Sequence, residues 1–388
     1  MRYRRLAASL LLIAPSTLAA CGALWTYDDY TDQPTATAKD AGSGAGGGAG
    51  ADGGSDAEGG PRRDAGRDAQ VDAESDAEVD AESDAEADAA PALADPNVDG
   101  PYTYGEIDDK VKVSAKGDLV AVHCAYPTGG PSTGPFPVVV VAHAGGLPSS
   151  QYVGYVLRLA TFGYVAITVE YPDLGAPISA TDQARQARDV LAAIDWASVR
   201  PELAKLANVT VVGATGHALG GKLSFLAASL DPRVRAAITL DPVNSASSCG
   251  PPDCPSMPDL MAALSIPVAV LGETKDTVPG VFAACAPAAN NFATFYASAN
   301  SPALSVEVIG ANQWSFLDDA ACGPMGCSLC QAKGATLGNS VVNGLAKAFV
   351  VAFYERWLRG DTRYDDFLTG AVAWSRYVDP GLAVILSK

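Results

Sequence analysis

The sequence predicts an α/β domain with a mostly parallel central sheet of about eight strands and helices on both faces. From residue 100 onward, short β-branched runs such as Val138–Ala142 and Val165–Val169 alternate with longer helix-like segments. These runs are apolar throughout, which is typical of parallel strands that are covered on both faces. Two earlier segments, Tyr102–Ile107 and Leu119–Tyr126, are expected to form an antiparallel edge.

The remaining predicted elements continue this alternation. Further strands are predicted at Val209–Val212, Ala236–Leu240, Val268–Leu271 and Leu304–Ile309. Helices are predicted at Ser150–Phe162, Ala180–Val199, Leu219–Leu230, Phe282–Ala297 and Asn339–Leu358. This number of elements suits one large domain over residues 100–388.

The N-terminus has the composition of an export signal. Residues 1–20 contain three early arginines followed by an apolar stretch, as in a secretory signal peptide. Leu18–Cys21 resembles a bacterial lipobox, in which the cysteine becomes the lipidated first residue. We therefore expect Cys21 to anchor the protein in the cell envelope, at the outer membrane or surface of a Gram-negative bacterium. An ordinary signal peptide with an incidental cysteine is the alternative.

Residues 21–99 are predicted to form a disordered acidic tether. Gly, Ala, Ser, Asp and Glu dominate, and residues 71–86 read VDAESDAEVDAESDAE. With few apolar side chains to bury, such a segment cannot offset the entropy cost of ordering. Residues 40–99 hold 17 acidic and 3 basic residues and so carry most of the net charge of −18. No basic patch follows, so nucleic acid is not an expected partner.

The segment GATGHALGGK, which begins at Gly213, lies between a predicted strand and a predicted helix. This is the layout of the nucleophile elbow G-x-S-x-G, and Gly216 and Gly220 supply its small neighbours. Ala218 occupies the serine position. A phosphate-binding loop would fit the G-x4-G-K spacing, but Leu223 lacks the hydroxyl that Mg²⁺ requires. The spacing does not fit a dinucleotide fingerprint.

These motifs resemble the α/β-hydrolase family, in its chlorophyllase, dienelactone-hydrolase and polyester-hydrolase-like branch, over most of the domain. GHALGGK is similar to the family's G-H-S-x-G-G, and VVVVAHAGG is similar to its strand and oxyanion turn. The resemblance implies an α/β-hydrolase fold and an oxyanion hole formed by Leu219 with Ala144 or Gly145. It also implies that Asp276, in LGETKDTVP, is the triad acid.

Gln313, in the segment IGANQWSF, stands where the resemblance places the catalytic histidine, and no histidine follows His217. Alanine has no atom that could attack a carbonyl, and a glutamine amide exchanges no proton near neutral pH. We therefore expect a pseudo-esterase with a retained apolar pocket, which binds an apolar or ester-like small molecule without a cofactor. Two alternatives remain: residual ester hydrolysis through Ser315 or a water held by Asp276, and a structural surface lipoprotein.

Seven cysteines follow Cys21. Cys124 lies in an apolar run and is expected to be a buried free thiol. The others lack histidine partners, so we expect disulfides and no metal site. Sequence proximity favours a bridge between Cys249 and Cys254 and leaves the other pairings open. The disulfide candidates are Cys249, Cys254, Cys285, Cys322, Cys327 and Cys330.

Several polar residues near these motifs are expected to be structural. His217 adjoins the serine position and is expected to pack near the elbow. His143, in the oxyanion turn, is expected to have a similar role. Lys222 and Asp241 are expected to make local packing and helix contacts.

Overall fold

The computed structural model describes residues 93–113, 118–171, 182–244, 251, 254–278, 284–320, 330 and 332–388. The predicted signal peptide, Cys21 and most of the predicted tether lie outside these residues. The strands are β1 (Thr103–Val113), β2 (Asp118–Gly129), β3 (Phe136–Ala142), β4 (Val165–Val169), β5 (Ala207–His217), β6 (Val234–Leu240), β7 (Val268–Glu273), β8 (Ala303–Val308) and β9 (Ala383–Ser387).

These strands form one mixed sheet in the order β1-β2-β4-β3-β5-β6-β7-β8-β9. The six strands β3 to β8 are parallel; Val140 of β3, for example, pairs with Ile167 on one side and Ala214 on the other. β1 and β2 add the antiparallel edge that the sequence predicts. The predicted fold class, a mostly parallel sheet between helices, is therefore confirmed.

The opposite edge of the sheet carries a strand that the sequence analysis did not predict. β9 pairs antiparallel with β8, and Ile385 lies opposite Val306. The strand is only five residues long, and Val384 and Leu386 are exposed. It therefore lacks the continuous burial of the central strands, whose long apolar runs made them recognisable.

Helices cover both faces of the sheet. Val138 and Val140 of β3 face one hydrophobic core, whereas Val139 and Val141 face the other, because side chains alternate along a strand. The helices are α1 (Val153–Thr161), α2 (Gln183–Val199), α3 (Leu219–Leu230), α4 (Met257–Ala263), α5 (Phe292–Ser298) and α6 (Asn339–Trp357). α1 and α6 pack on the Val139 face, and α2 to α5 pack on the Val138 face. Shorter helical segments are Ser149–Tyr152, Gln313–Phe316, Thr362–Tyr364, Asp365–Leu368, Ala371–Ala373 and Trp374–Val378.

The predicted helix Phe282–Ala297 begins later than the sequence analysis placed it. α5 starts at Phe292, and the side chain of Asn291 caps it by accepting a hydrogen bond from the Ala293 amide. Pro287 precedes the cap in a turn that the Asn290 amide closes on the Pro287 carbonyl. The turn and the cap, and not the apolar pattern, therefore determine where the helix starts.

The first described residues are fixed to the domain. Asp95 forms two hydrogen bonds with the Arg376 guanidinium, at 2.7 and 2.6 Å. The Tyr377 hydroxyl donates to Asn97 Oδ1 at 2.7 Å, and the Gly100 amide donates to Thr161 Oγ1 at 3.0 Å. The folded domain therefore begins several residues before the predicted boundary at residue 100.

Cys124 is a buried free thiol, as predicted. Cys285 and Cys330 form a disulfide across 45 residues of chain, and Cys254 is also disulfide-bonded. The other three candidates, Cys249, Cys322 and Cys327, lie outside the described residues. Among the described helices, none is both long and apolar enough to cross a membrane.

Candidate functional site

The predicted site residues lie at the carboxyl edge of the parallel strands. Ala144 follows β3, Ala218 follows β5, Asp276 follows β7 and Gln313 follows β8. Ligands of open α/β sheets bind at this edge because the loops after several parallel strands meet there. The topology therefore brings together four segments that are up to 169 residues apart in the sequence.

The turn at Ala218 keeps the backbone of a nucleophile elbow. Ala218 has φ 50° and ψ −115°, a left-handed conformation that is uncommon for residues other than glycine. A Cβ atom at Gly216 would overlap the Gly220 carbonyl, and one at Gly220 would overlap the Ala142 carbonyl. Both glycines are therefore required by the close packing of α3 on β3 and β5. The strained turn persists although its central side chain carries no reactive atom.

Asp276 and Gln313, the predicted acid and the predicted histidine position, are in direct contact. The Gln313 backbone amide donates to Asp276 Oδ2 at 3.0 Å, and the Lys333 amide donates to Oδ1 at 2.6 Å. Burial raises the pKa of Asp276, and these two amides oppose the rise. Asp276, the predicted acid, is thus held against residue 313, the predicted histidine position.

Gln313 itself is nearly buried, with 5% of its surface exposed. Its Oε1 atom has no hydrogen-bond partner among the described residues. The neighbouring Ser315 is not a free hydroxyl, because its Oγ donates to Asn312 Oδ1 at 2.9 Å and accepts from the Asn312 amide at 3.1 Å. These bonds form a capping box at the start of the turn Gln313–Phe316, so Ser315 has a local structural role.

The predicted oxyanion donors are backbone amides at two places in the structure, the start of α3 and the turn after β3. Leu219 is the first residue of α3, so its N–H has no partner within the helix. The Ala144 amide already donates to the Tyr152 hydroxyl at 3.1 Å. Of the two candidates in the turn after β3, Ala144 therefore has its amide engaged within the protein, and Gly145 stays the predicted donor.

Asp241 is the site feature that the sequence analysis assigned to packing. It follows β6, next to Ala218, because the preceding residues Leu240 and His217 pair in the sheet. Its side chain is fully buried, its φ is 40°, and neither carboxyl oxygen has a partner among the described residues. An acidic residue at the carboxyl end of the strand beside the elbow was the signal in the sequence that could have identified it.

Burial and neighbouring carboxylates change the protonation of this region. Desolvation, followed by the charges of Glu273 and Asp276, raises the pKa of Asp241 well above its ordinary value. Burial raises the pKa of Glu273 to about 7, although Glu273 accepts hydrogen bonds from the Lys275 and Asp276 amides. Asp241, Glu273 and Asp276 therefore form an acidic cluster that retains at least one proton near neutral pH.

The other polar residues make the local contacts that the sequence analysis expected. Lys222 Nζ donates to Asn244 Oδ1 at 2.8 Å, and burial lowers the pKa of Lys222 to about 8. The His143 ring stacks on Tyr171 with 3.8 Å between ring centroids. In the described part of the chain, no three His, Cys, Asp or Glu side chains are arranged to hold a metal ion.

The described site is nearly closed, with Ala218 and Leu219 each 6% exposed. The predicted apolar pocket is therefore not open at these residues. A cavity of 120 Å³ lies at the opposite edge of the sheet, where Val268 and Ala303 begin β7 and β8. It is distant from the elbow, and we do not associate it with the site.

Comparison with known proteins gives chlorophyllases among the relatives of this chain. The model of the chlorophyllase family matches residues 106–371. Chlorophyllase-2 of Arabidopsis thaliana is 26% identical over 257 residues, which cover 59% of this chain and 76% of the relative. Chlorophyllase-1 of Citrus unshiu is 30% identical over 165 residues, which cover 42% of this chain and 50% of the relative.

A bacterial relative broadens this set. Bis(hydroxyethyl) terephthalate hydrolase of Streptomyces coelicolor is 26% identical over 245 residues, which cover 63% of this chain and 64% of the relative. The matched family range covers more than half of the chain and includes Ala144, Ala218, Asp276 and Gln313. This chain therefore belongs to the chlorophyllase family, within the α/β-hydrolase fold.

Proposed function

We propose that this protein is a pseudo-esterase, which binds an ester-like small molecule through its carbonyl group and does not cleave it. One observation carries the proposal: the elbow keeps its strained backbone while position 218 is alanine. The acid contact to position 313 is kept as well, while the side chain there is glutamine. The two missing groups are those that would attack the carbonyl and accept a proton.

The geometry supports a specific mode of binding. A carbonyl oxygen would accept hydrogen bonds from the Gly145 and Leu219 amides, at the N-terminal end of α3. The body of the ligand would contact the apolar cluster that contains Ala218, Leu147 and Trp314. The nearby acidic cluster disfavours a carboxylate, so the site should prefer an intact ester over the acid that hydrolysis would release.

The relatives' names support hydrolysis as the second candidate function, since each is a chlorophyllase or a terephthalate-ester hydrolase. This candidate needs a nucleophile other than residue 218. Ser315 is held in its capping box, and both oxygens of Asp276 already accept backbone amides. Turnover by the natural chain would favour this candidate over the binding protein.

We expect the natural chain to bind ethyl benzoate at least about tenfold more tightly than benzoate, because only the neutral carbonyl avoids repulsion by the acidic cluster. Titration calorimetry or ligand-observed NMR at pH 7.5 measures both affinities. Ala218→Leu should abolish the ester signal, because the larger side chain would occupy the place that the ester must take beside the amides. Ala263→Leu, at an exposed position of α4, is the matched control. Equal affinity for the two ligands, or release of benzoate from the ester, would contradict the proposal.

We further propose that Cys21 carries a lipid that anchors the protein in the cell envelope. The lipobox-like Leu18–Cys21 after an apolar stretch supports this proposal. Metabolic labelling with a fatty-acid analogue should tag the natural chain and leave Cys21→Ser untagged. Equal labelling of both chains would exclude Cys21 as the lipid site. Labelling without any ester binding would instead favour a structural surface lipoprotein.

A further inference from the structure

We infer that Tyr152 and His217 are positioning residues, which hold the candidate oxyanion amides in register through a chain of hydrogen bonds across the site. The inference rests on the proposed function in one respect: it takes the amides of Gly145 and Leu219 as the atoms that meet a ligand. The bonds themselves belong to the folded protein whether or not a ligand is present.

The Tyr152 hydroxyl joins two of the segments that form the site. It accepts from the Ala144 amide at 3.1 Å and lies 2.8 Å from His217 Nδ1. Ala144 directly precedes Gly145, and His217 directly precedes Ala218. One buried hydroxyl therefore fixes the turn after β3 relative to the elbow after β5, and with them the two amides that should bind one oxygen.

The direction of these hydrogen bonds follows from proton counting. A phenol has one proton, and an amide N–H can only donate, so the Tyr152 oxygen accepts from Ala144. The Tyr152 proton then has His217 Nδ1 as its acceptor. Burial lowers the pKa of His217 to about 3, which keeps the ring neutral. With Nδ1 accepting from Tyr152, the single proton of the neutral ring is on Nε2.

No hydrogen bond joins His217 to the acid loop among the described residues. His217 Nε2 is buried without a hydrogen-bond partner there, and the His217 ring lies 6.1 Å from the ring of Phe316, which is in the same turn as Gln313. The Gln313 amide donates to Asp276 Oδ2 at 3.0 Å. Hydrogen bonds thus join the turn after β3 to the elbow after β5 and, separately, the loop after β8 to the loop after β7.

These hydrogen bonds use none of the atoms that a serine hydrolase would need for catalysis. At residue 313 the contacts are made by the backbone, and at residue 218 no side-chain atom takes part. The frame is therefore independent of the side chains that are replaced here. This independence explains how the elbow and the acid contact persist with alanine and glutamine in place.

Histidine NMR on the natural chain tests the proton positions directly, because the sequence has only three histidines. With ¹⁵N-labelled imidazoles, His217 should show a proton on Nε2 and no titration between pH 5 and pH 8. A His217 ring that carries its proton on Nδ1, or that becomes charged in this range, would overturn the inference. This measurement needs neither a variant nor a ligand.

The variant Tyr152→Phe tests the positioning role. Amide exchange at Ala144 and Gly145 should become about tenfold faster, and ethyl benzoate affinity should fall by a similar factor, because one hydrogen bond of ordinary strength is lost. Tyr155→Phe is the matched control. The Tyr155 hydroxyl is equally buried, but it donates to the Phe316 carbonyl at 2.6 Å and takes no part in the hydrogen bonds between Ala144, Tyr152 and His217. If the Ala144 and Gly145 amides exchange at similar rates in Tyr152→Phe and Tyr155→Phe, the inference is overturned. If the natural chain binds no ester but the exchange difference is present, the proposed function fails and the positioning role stands.

Discussion

The double variant Ala218→Ser with Gln313→His is expected to hydrolyse short-chain p-nitrophenyl esters and to react with a fluorophosphonate probe, which the natural chain should not do. The frame for both groups is in place, because the elbow backbone is kept and Asp276 already contacts residue 313. Each oxygen of Asp276 accepts one backbone amide, and a carboxylate oxygen can accept a second hydrogen bond from a histidine.

Neither single variant should gain appreciable activity. A serine without a base is a weak nucleophile, and a histidine without a serine has no hydroxyl to activate, so the two changes should be strongly non-additive. The double variant should exceed either single variant by about 10² to 10⁴, the usual range for a positioned general base. Initial rates and probe labelling measure this difference.

Two outcomes would change the assignment of the site. Robust activity in the natural chain would overturn the pseudo-esterase proposal. A folded but inactive double variant would show that the acid or the oxyanion turn is not in a productive position. If the double variant is active, replacing Asp276 and Asp241 by asparagine one at a time identifies the carboxylate that serves the new histidine.

The variant Asp241→Asn is expected to raise stability at pH 7.5 and to raise it by a smaller amount at pH 5. Asp241 is fully buried and its carboxyl oxygens have no partner among the described residues, so at pH 7.5 the natural chain must either keep it protonated or hold a charge that none of these residues pairs. Asparagine has the same shape, carries no charge, and tolerates the left-handed backbone found here. Chemical unfolding with disulfides intact, between pH 5 and pH 7.5, measures the effect.

The sign of this effect follows from proton linkage. The folded-state pKa of Asp241 is raised, so its contribution is fully present below the unfolded-state pKa and is lost as pH rises towards the folded value. Each additional proton bound by the folded state makes the unfolding free energy fall by about 1.4 kcal/mol per pH unit. In the variant, the slope of the unfolding free energy against pH should lack the contribution of this one proton.

Above about pH 8 another group, Lys222, changes the stability in the opposite direction. The pKa of Lys222 is lowered to about 8, so above that pH its proton loss makes stability rise with pH. Asp118→Asn, at an exposed strand position, controls for the loss of one negative charge. A slope equal to that of the control would show that Asp241 holds no proton in this range.

The fold was predictable because its central strands are buried on both faces. Val138–Ala142 and Val165–Val169 are fully buried in the structure, and their unbroken apolar runs carried the prediction. The half-exposed β9 and the short α4 lack such runs. The late start of α5 was set by the cap at Asn291, which the apolar pattern did not reveal.

The site was predictable where function demands particular residue types along the chain. Gly216 and Gly220 are required by steric contact, so the elbow could be located without its serine. The apolar pattern gave Tyr152 no role, and Asp241 was assigned to packing although its place after the strand beside the elbow could have identified it. Their importance depends on tertiary contacts. Asp241 is buried with no hydrogen-bond partner among the described residues, and the Tyr152 hydroxyl bonds to Ala144 and to His217, which is distant in the sequence.

The fixed segment at the start of the domain has a practical consequence. Gly100 is bonded to Thr161 at the end of α1, next to the point where β4 begins, so the polypeptide enters the domain at the amino edge of the parallel strands. The elbow lies at the carboxyl edge, on the far side of the sheet. A fluorescent protein, an affinity tag or a solid support attached ahead of Leu93 therefore joins the domain away from the elbow, and N-terminal attachment is the appropriate geometry for ligand screening.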